Sequence, residues 1–324
     1  MKVLVVGGAG YVGAHMCKQL AEHGHQAVVC DDFSTGHRAA VRWGECIEAD
    51  IGDAAALDAV FGRHRFDAVM HFAACSLVGE SVADPLKYYR NNVGNTLVLL
   101  EAMRRHGVER LVFSSTAAIF GEPQTELIDE AHPTHPLNPY GRSKLAIEQI
   151  LADCASAYGL RAVALRYFNA AGADESGLIG ESHHPETHLI PRLLRKAAGE
   201  AIDVRIFGDD YPTVDGTCVR DYIHVNDLAD AHLRALERLD REPGFRAFNL
   251  GNGRGYTVKQ VVTAVEVITG RKLGIEVDGR RAGDPATLVA SSGRAEAELA
   301  WHPFRADLHT IIDSAWRWHR QPAY

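Results

Sequence analysis

The sequence has no CxxC pair. Its six cysteines (Cys17, Cys30, Cys46, Cys75, Cys154, Cys218) are scattered, which argues against a disulfide framework and against a structural zinc site and leaves buried reduced thiols. It has no long basic run, and with a net charge of −8 no nucleic-acid partner is expected. No apolar stretch reaches the ~18 residues of a membrane helix. The apolar start Val3-Leu-Val-Val6 is cut by Gly7-Gly8, too early for a signal-peptide core, so a cytoplasmic chain with no membrane partner is expected. No internal repeat or low-complexity linker appears. Histidine, in contrast, is plentiful at 17 residues. His183-His184 with His188 has spacing like that of metal ligands, but no carboxylate or cysteine partner is evident. The group reads as a polar loop, and no metal is expected.

The 324 residues, 46% of them hydrophobic, can bury a sizeable core as one large or two medium domains. Lys2 to Val6 is a short apolar run ending in Gly7-Gly-Ala-Gly-Tyr-Val-Gly13, after which Ala14 to His23 takes helical spacing. Strand, glycine turn and helix in that order let a dinucleotide pyrophosphate approach the backbone and rest on the helix N-terminus. The next apolar run, Ala27 to Cys30, ends at Asp31-Asp32, eighteen residues past Gly13. An acid there bonds an adenosine ribose and disfavours a 2′-phosphate, so NAD is expected over NADP.

The alternation continues. Glu45 to Ala49, Asp67 to Phe72, Arg110 to Ser114, Arg161 to Arg166 and Phe245 to Leu250 read as strands. Ala54 to Phe61, Pro85 to His106, Tyr140 to Tyr158 and Asp221 to Arg238 read as helices. This pattern predicts an α/β fold with a doubly wound, parallel Rossmann-type sheet and ligands at the strand C-terminal ends. The stretch 169–222 is irregular apart from a helix from Leu189 to Ala198. After Leu250 come a helix from Thr257 to Thr269, an extended run from Leu273 to Asp278 and a helix from Asp307 to Trp318. A smaller mixed α/β lobe is therefore expected from about 169–220 plus 251–324, beside a dinucleotide-binding domain of 1–168 plus about 221–250.

The chemistry centres on Tyr140-Gly-Arg-Ser-Lys144. Positions i and i+4 of a helix share one face, about 5–6 Å apart at Cβ. An ammonium beside a phenol favours the phenolate, so Lys144 should lower the Tyr140 pKa from near ~10 and move it toward use as a base. Strand Arg110 to Phe113 leads into Ser114-Ser115-Thr116, hydroxyls at the edge where a nicotinamide would lie.

In that order, the glycine turn, the acid after the second strand, the hydroxyl run and YxxxK resemble the extended short-chain dehydrogenase/reductase superfamily over nearly the whole chain. Within it the sequence is most similar to the UDP-glucose 4-epimerase family. Val78-Gly-Glu-Ser81, Asn91-Asn92-Val93, Arg166-Tyr-Phe-Asn169, Ile206 to Thr213, Asp215 to His224 and Arg280-Arg-Ala-Gly-Asp284 carry this likeness. The resemblance implies interconversion of UDP-glucose and UDP-galactose without net oxidation. Tyr140 would take the proton of the sugar 4-hydroxyl, the C4 hydride would pass to NAD, and a 4-keto sugar would swing over and take it back on the other face. Lys144 would hold Tyr140 anionic, and Thr116 would bond the 4-oxygen.

It further implies that Gly7, Gly10, Tyr11, Val12, Gly13, Asp31, Asp50, Ile51, Phe72, Ala73, Asn91 and Tyr167 contact NAD together with Tyr140 and Lys144. Thr116, Tyr140, Asn169, His188, Leu189, Phe207, Arg220, Arg281, Asp284 and Leu288 would hold the UDP-sugar, the arginines matching diphosphate oxygens with planar, permanently charged forks. A homodimer is implied through the helices Pro85 to His106 and Tyr140 to Tyr158, although Leu97, Leu100, Ile147 and Leu151 on them could equally serve the intrachain core.

Several positions depart from the family pattern. Thr116 stands where many members have serine, Ser76 where some have lysine, His188 where some have asparagine and Phe120 where tyrosine is frequent. Leu288 is smaller than the tyrosine some members carry beside the sugar's C2 substituent, so N-acetylated sugars could enter. Ala117-Ala118 after Thr116 lacks the Asp-Glu pair of a 4,6-dehydratase. A 4-epimerase of UDP-pentoses or uronates, or a non-catalytic NAD-binding regulator on the same fold, would share most of these features. The regulator would be expected to have lost Tyr140 or Lys144.

Overall fold

The computed structural model describes residues 1–241, 243–281 and 284–324, so Ala282 and Gly283 of the Arg280 to Asp284 run lie outside the described residues. The first half builds β1 (Lys2–Val6), α1 (Tyr11–Glu22), β2 (Gln26–Asp31), β3 (Glu45–Glu48), α2 (Ala54–Arg63) and β4 (Ala68–His71). The short helices α3 (Val78–Ala83) and α4 (Pro85–Tyr88) follow, then α5 (Asn95–Arg105), β5 (Arg110–Thr116), α6 (Pro139–Tyr158) and β6 (Arg161–Tyr167).

Later come β7 (Asn169–Ala171), α7 (Leu189–Ala197), β8 (Arg205–Phe207), β9 (Val219–Arg220), β10 (Tyr222–His224), α8 (Val225–Arg238) and β11 (Gly244–Leu250). The chain ends with β12 (Tyr256–Thr257), α9 (Val258–Thr269), β13 (Glu276–Asp278), β14 (Thr287–Leu288), α10 (Gly293–Leu299) and α11 (Leu308–Arg320). The main sheet has the order β11-β6-β5-β4-β1-β2-β3 and every pairing in it is parallel. The doubly wound sheet expected from the sequence is therefore present, with its crevice between β1 and β4, where the strand order reverses.

The strands are near-continuous apolar runs because both faces are covered. On one face Val3, Val5, Met70 and Phe248 pack with Met16 and Leu20 of α1 and Leu228 and Leu236 of α8. On the other, Leu4, Val6, Val69 and Phe113 pack with Leu57 of α2, Leu99 and Met103 of α5, and Ile147 and Leu151 of α6. A third core joins α7, α9 and α11 through Leu193, Leu194, Val261, Val265, Ile311 and Ile312. Residues 293–301, grouped by sequence with the smaller lobe, place Ala295, Leu299 and Trp301 in the first of these cores, where the Trp301 indole donates to Asp227 O at 2.9 Å.

Local corrections have physical causes. The helix expected from Asp221 starts at Val225, because the fully buried Asp221 carboxylate accepts backbone N–H groups of Asn252 (2.8 Å), Gly253 (3.2 Å) and Ala290 (3.2 Å). That anchoring leaves Tyr222–His224 to pair with Asn169–Ala171 as strands. The helix expected from Pro85 to His106 is interrupted by a π-helical turn over Tyr89–Gly94. Strand β5 runs on to Thr116, so its hydroxyls belong to the sheet. Of the apolar residues considered for a subunit contact, Leu100, Ile147 and Leu151 are intrachain core and Leu97 is 43% exposed.

Candidate active site

The glycine turn is fixed by close approaches. Gly7 has φ +79°, and a Cβ there would lie 2.5 Å from Ala73 N; at Gly13 it would lie 2.2 Å from Gly7 O. At Gly10 the nearest protein atom to such a Cβ is 3.4 Å away, so the chain itself leaves that side open. Gly10 caps α1 without any side-chain hydrogen bond, leaving first-turn N–H groups for an anion. Tyr11 and Val12 begin that helix, and the Tyr11 hydroxyl donates to Gly172 O at 2.6 Å.

Asp31, at the end of β2, accepts from Ala9 N and Phe33 N, both at 2.9 Å, which aims its carboxylate over the turn. Burial pushes its pKa up, against those two bonds. Asp50 and Ile51 follow β3, Phe72 and Ala73 follow β4, and Tyr167 ends β6, its hydroxyl 2.6 Å from Ser114 Oγ. Asn91 lies in the π turn and donates to Asn92 Oδ1 at 3.1 Å. This cradle, too tight for side chains at Gly7 and Gly13, with an uncapped helix end and an acid after β2, fits a dinucleotide.

Thr116 ends β5 opposite Tyr167 in the register, and its Oγ1 accepts from Ala118 N at 3.1 Å and engages Tyr140. Helix α6 starts at an Asn138 cap that accepts from Gly141 N at 2.9 Å, which sets Tyr140 in the first turn and Lys144 one turn on. Lys144 is 3% exposed. Its Nζ donates to Ser114 O at 2.8 Å and sits 4.7 Å from the Phe113 ring centroid. Burial drives the Lys144 pKa down to about 7, opposed by the nearby Glu148 carboxylate.

The expected lowering of the Tyr140 pKa is not what the chain by itself produces. Burial raises it well above 10, Tyr167 adds to that, and the Thr116 hydrogen bond only partly opposes them. Lys144 spends its amine on the Ser114 carbonyl, and burial of the phenol dominates.

The second group gathers on the short strands. Asn169 Nδ2 donates to Asp221 O at 2.9 Å, Arg220 pairs with Asp284, Leu288 lies opposite Arg220 in the β14–β9 register, and the Arg281 guanidinium lies 4.4 Å from the Phe207 ring centroid. Leu288 also packs against the small cluster of Ala117, Ile119, Phe120 and Ile128, so it touches the segment that directly follows Thr116. Ser76 is exposed, whereas Phe120 is only 1% exposed and has the Arg166 guanidinium 5.5 Å from its ring centroid.

His188 caps α7 just before Leu189, and there the sequence reading misses its partners. Glu181 and Glu186 stand beside His183 and His188, supplying the carboxylates that the histidine cluster was thought to lack. Burial pushes Glu181 up, but hydrogen bonds from His183 and His188 outweigh it and hold the carboxyl down at about 2.

Two further arrangements centre on residues of the runs that carry the family likeness, but their partners are distant in sequence. Asn92, 1% exposed, accepts from Cys75 N (2.9 Å) and donates to Cys75 O (3.1 Å) and Ser143 Oγ (2.9 Å), tying the loop after β4 to the turn of α6 that carries Tyr140 and Lys144. Glu148, one turn past Lys144, receives the Arg166 guanidinium through both oxygens and the Ser115 hydroxyl, all of them buried. Arg166 belongs to a run the sequence reading quoted, but its partner was not foreseen.

Residues 3–251 match the model of the NAD dependent epimerase/dehydratase family. The chain is 51% identical to the UDP-glucose 4-epimerase of Halalkalibacterium halodurans over 99% of its own length and 96% of that protein. Among solved structures, UDP-glucose 4-epimerase from Brucella ovis in complex with NAD superposes with a TM-score of 0.95 at 51% identity, covering 97% of each chain. That from Stenotrophomonas maltophila, with bound NAD and formylated UDP-arabinopyranose, gives 0.95 at 41% identity over 99% of this chain and 98% of the other.

Proposed function

The chain belongs to the NAD-dependent epimerase/dehydratase family, and from that premise we infer that it is an isomerase interconverting UDP-glucose and UDP-galactose through a 4-keto sugar with NAD as cofactor. The observation that carries the assignment to these residues is the Thr116–Tyr140 hydrogen bond at the end of β5, with Lys144 one turn further along α6 donating to Ser114 O of the same strand.

NAD, when bound, supplies the acceptor and donor for the C4 hydride. Gly7, Gly10, Tyr11, Val12 and Gly13 hold its pyrophosphate side, Asp31 its adenosine ribose, and Asp50, Ile51, Phe72, Ala73, Asn91 and Tyr167 line the remainder. Tyr140 Oη takes the proton from the sugar 4-hydroxyl and returns it after the ketone has turned. Thr116 Oγ1 orients that oxygen. The buried amine of Lys144, which burial holds down at about 7, would as an ammonium stabilise the phenolate. Arg220 and Arg281 hold the diphosphate, with Asn169, His188, Leu189, Phe207 and Asp284 around the nucleotide and Leu288 beside the sugar.

On this reading residues 1–168 with about 221–250 bind NAD, and the smaller lobe binds the UDP-sugar. Among the described residues no helix is long and apolar enough to cross a membrane. Val78, Val82, Leu86, Tyr89 and Leu97 leave an exposed apolar stripe along α3 to α5, which supports a homodimer. A sedimentation mass of one 35.4 kDa chain at micromolar concentration would contradict that assembly.

The test of function is proton NMR of UDP-galactose with purified protein and no added cofactor. A UDP-glucose/UDP-galactose mixture is expected, and Tyr140→Phe should lose nearly all of that turnover. Full activity in Tyr140→Phe would overturn the assigned base. No conversion by wild type even with added NAD would turn attention to pentose, uronate and N-acetylated UDP-sugars. Leu288 leaves room beside the sugar C2 substituent, so UDP-N-acetylgalactosamine should also turn over, and its inertness would dispose of that extension.

A further inference from the structure

We propose that Glu181, His183, Glu186 and His188 form a binding site for one divalent transition-metal ion of the zinc, cobalt or nickel type. The four side chains come from one loop, between β7 and α7, and each offers one ligand atom, all four lying within 4.8 Å of one another. His183 Nδ1 is 3.3 Å from Glu181 Oε1 and 3.6 Å from Glu186 Oε2. His188 Nδ1 is 3.9 Å from Glu186 Oε1 and in direct contact with Glu181 Oε1. Four ligands on bonds of about 2.0–2.1 Å in a tetrahedron stand roughly 3.3–3.4 Å apart. The His183–Glu181 and His183–Glu186 separations are within a few tenths of an ångström of that spacing, the His188–Glu186 distance would have to shorten, and the His188–Glu181 contact would have to open. The imidazole rings meet edge to face, 5.3 Å between centroids at 83°, so they do not stack on one another.

A second observation points to a cation. The Glu181 and Glu186 side chains are 5% and 3% exposed, and among the described residues their ion-pair partners are the two imidazoles, with no lysine or arginine. Two carboxylates withdrawn from water demand two positive charges. A divalent ion supplies both and leaves the imidazoles neutral. His183 Nδ1, moreover, is enclosed and points between the two carboxylates, 3.3 Å from one and 3.6 Å from the other.

The loop is also pinned from outside. The Trp318 indole donates to Glu181 O at 2.9 Å and His37 Nε2 lies 3.0 Å from Ser182 O. Ligands held by such outer contacts are already arranged for a metal. Two imidazoles with two carboxylates favour zinc, cobalt or nickel over magnesium and calcium, which prefer all-oxygen shells. The His183 ring lies 6.3 Å from Tyr11 of α1, and His188 directly precedes α7, so the ion would fasten this loop between the two lobes and take no part in hydride transfer. The proposal goes beyond the epimerase reading, with His188 common to both.

The test uses tag-free, NAD-bearing enzyme stripped with a chelator and titrated with cobalt(II), then competed with zinc(II). The expected result is one ion per chain with the strong visible absorption of four-coordinate cobalt. Binding at least tenfold weaker is expected in Glu181→Gln and in His183→Gln, variants checked for folding by circular dichroism and NAD content. Less than about a tenth of an ion per chain, or stoichiometric binding unchanged in both variants, overturns the site. Should the variants fail to fold, X-ray absorption of the zinc-loaded wild type decides. Two imidazoles and oxygen ligands support the site, and sulfur from any of the free cysteines refutes it.

Discussion

The buried pair behind the catalytic face gives the sharpest quantitative expectation. Glu148 and Arg166 side chains are 3% and 9% exposed, and the guanidinium meets both carboxylate oxygens while Ser115 donates to one of them. Removing one partner leaves an unpaired charge in a site closed to water, a cost of about 3–5 kcal/mol. With an unfolding entropy of about 2.1 cal/mol/K per residue, this chain has roughly 0.7 kcal/mol/K, so a loss of about 4 kcal/mol lowers Tm by roughly 6 °C. Glu148→Met and Arg166→Met should each show that loss. The double variant, which buries no charge, should cost far less than the sum, with a coupling of about 3 kcal/mol or more. Because Glu148 lies one turn past Lys144 and Ser115 adjoins Thr116, each single variant should also lower kcat more than it raises KM. The assay is urea and thermal unfolding of the two singles and the double. Single losses below about 1 kcal/mol, or strict additivity, would refute the view that this pair locks α6 onto β5 and β6.

The glycine turn separates stability from cofactor binding. Gly7→Ala puts a Cβ 2.5 Å from Ala73 N at a positive φ, and should cost about 1–3 kcal/mol as well as NAD retention. Gly10→Ala should fold normally and lose NAD, read from the nucleotide released on denaturation; normal retention in Gly10→Ala would place the pyrophosphate elsewhere. Lys144 gives a pH dependence. Its folded pKa, about 7, lies below its ordinary 10.5, so the unfolded chain binds more protons and the stability deficit shrinks as pH rises through that window. From pH 7 to 9 the cofactor-free wild type should gain about 2 kcal/mol relative to Lys144→Met, whereas parallel profiles would contradict burial as the cause. Ultraviolet difference titration of cofactor-free wild type against Tyr140→Phe should place the Tyr140 transition above that of an ordinary tyrosine, and a midpoint below 10 would restore activation by the lysine alone.

Much of this was legible in the sequence, for local reasons. Strand β1, the glycine turn and α1 declare themselves by a break in apolar periodicity, and α6 ends where Gly159 takes the left-handed conformation. Strand β13 falls within the extended run expected from Leu273 to Asp278, but the two- and three-residue strands β7 to β10, β12 and β14 have no periodicity to read; distant pairing makes them, and Asp221 shows how. An apparently amphipathic run was cut short because three backbone N–H groups, from residues 31 to 69 positions away, converge on one carboxylate. The same distance hides Asn92, which meets Ser143 across 51 positions, while Glu148 meets Arg166 only once α6 lies on the sheet. Glu181 and Glu186 were close at hand, two and three positions from His183, but the segment is neither helix nor strand, so only the loop's path turns them toward His183 and His188.

The Tyr140–Lys144 pair shows most clearly what spacing cannot decide. Four residues of separation put both groups on one helix face, and this alone suggests that the amine activates the phenol. Burial acts on both at once and pushes them toward neutrality: it raises the phenol and brings the amine down to about 7. The two shifts oppose the charged form of each partner, so neither can bring the other to its working state from within the cofactor-free chain. Charge must therefore enter the site: the cationic nicotinamide of an oxidised dinucleotide favours the phenolate, and the phenolate once formed favours the ammonium. On this reasoning the base strength of Tyr140 belongs to the assembled site. The open glycine cradle, the Thr116 hydroxyl and the neutral-leaning pair form one device, at rest until the cradle is filled.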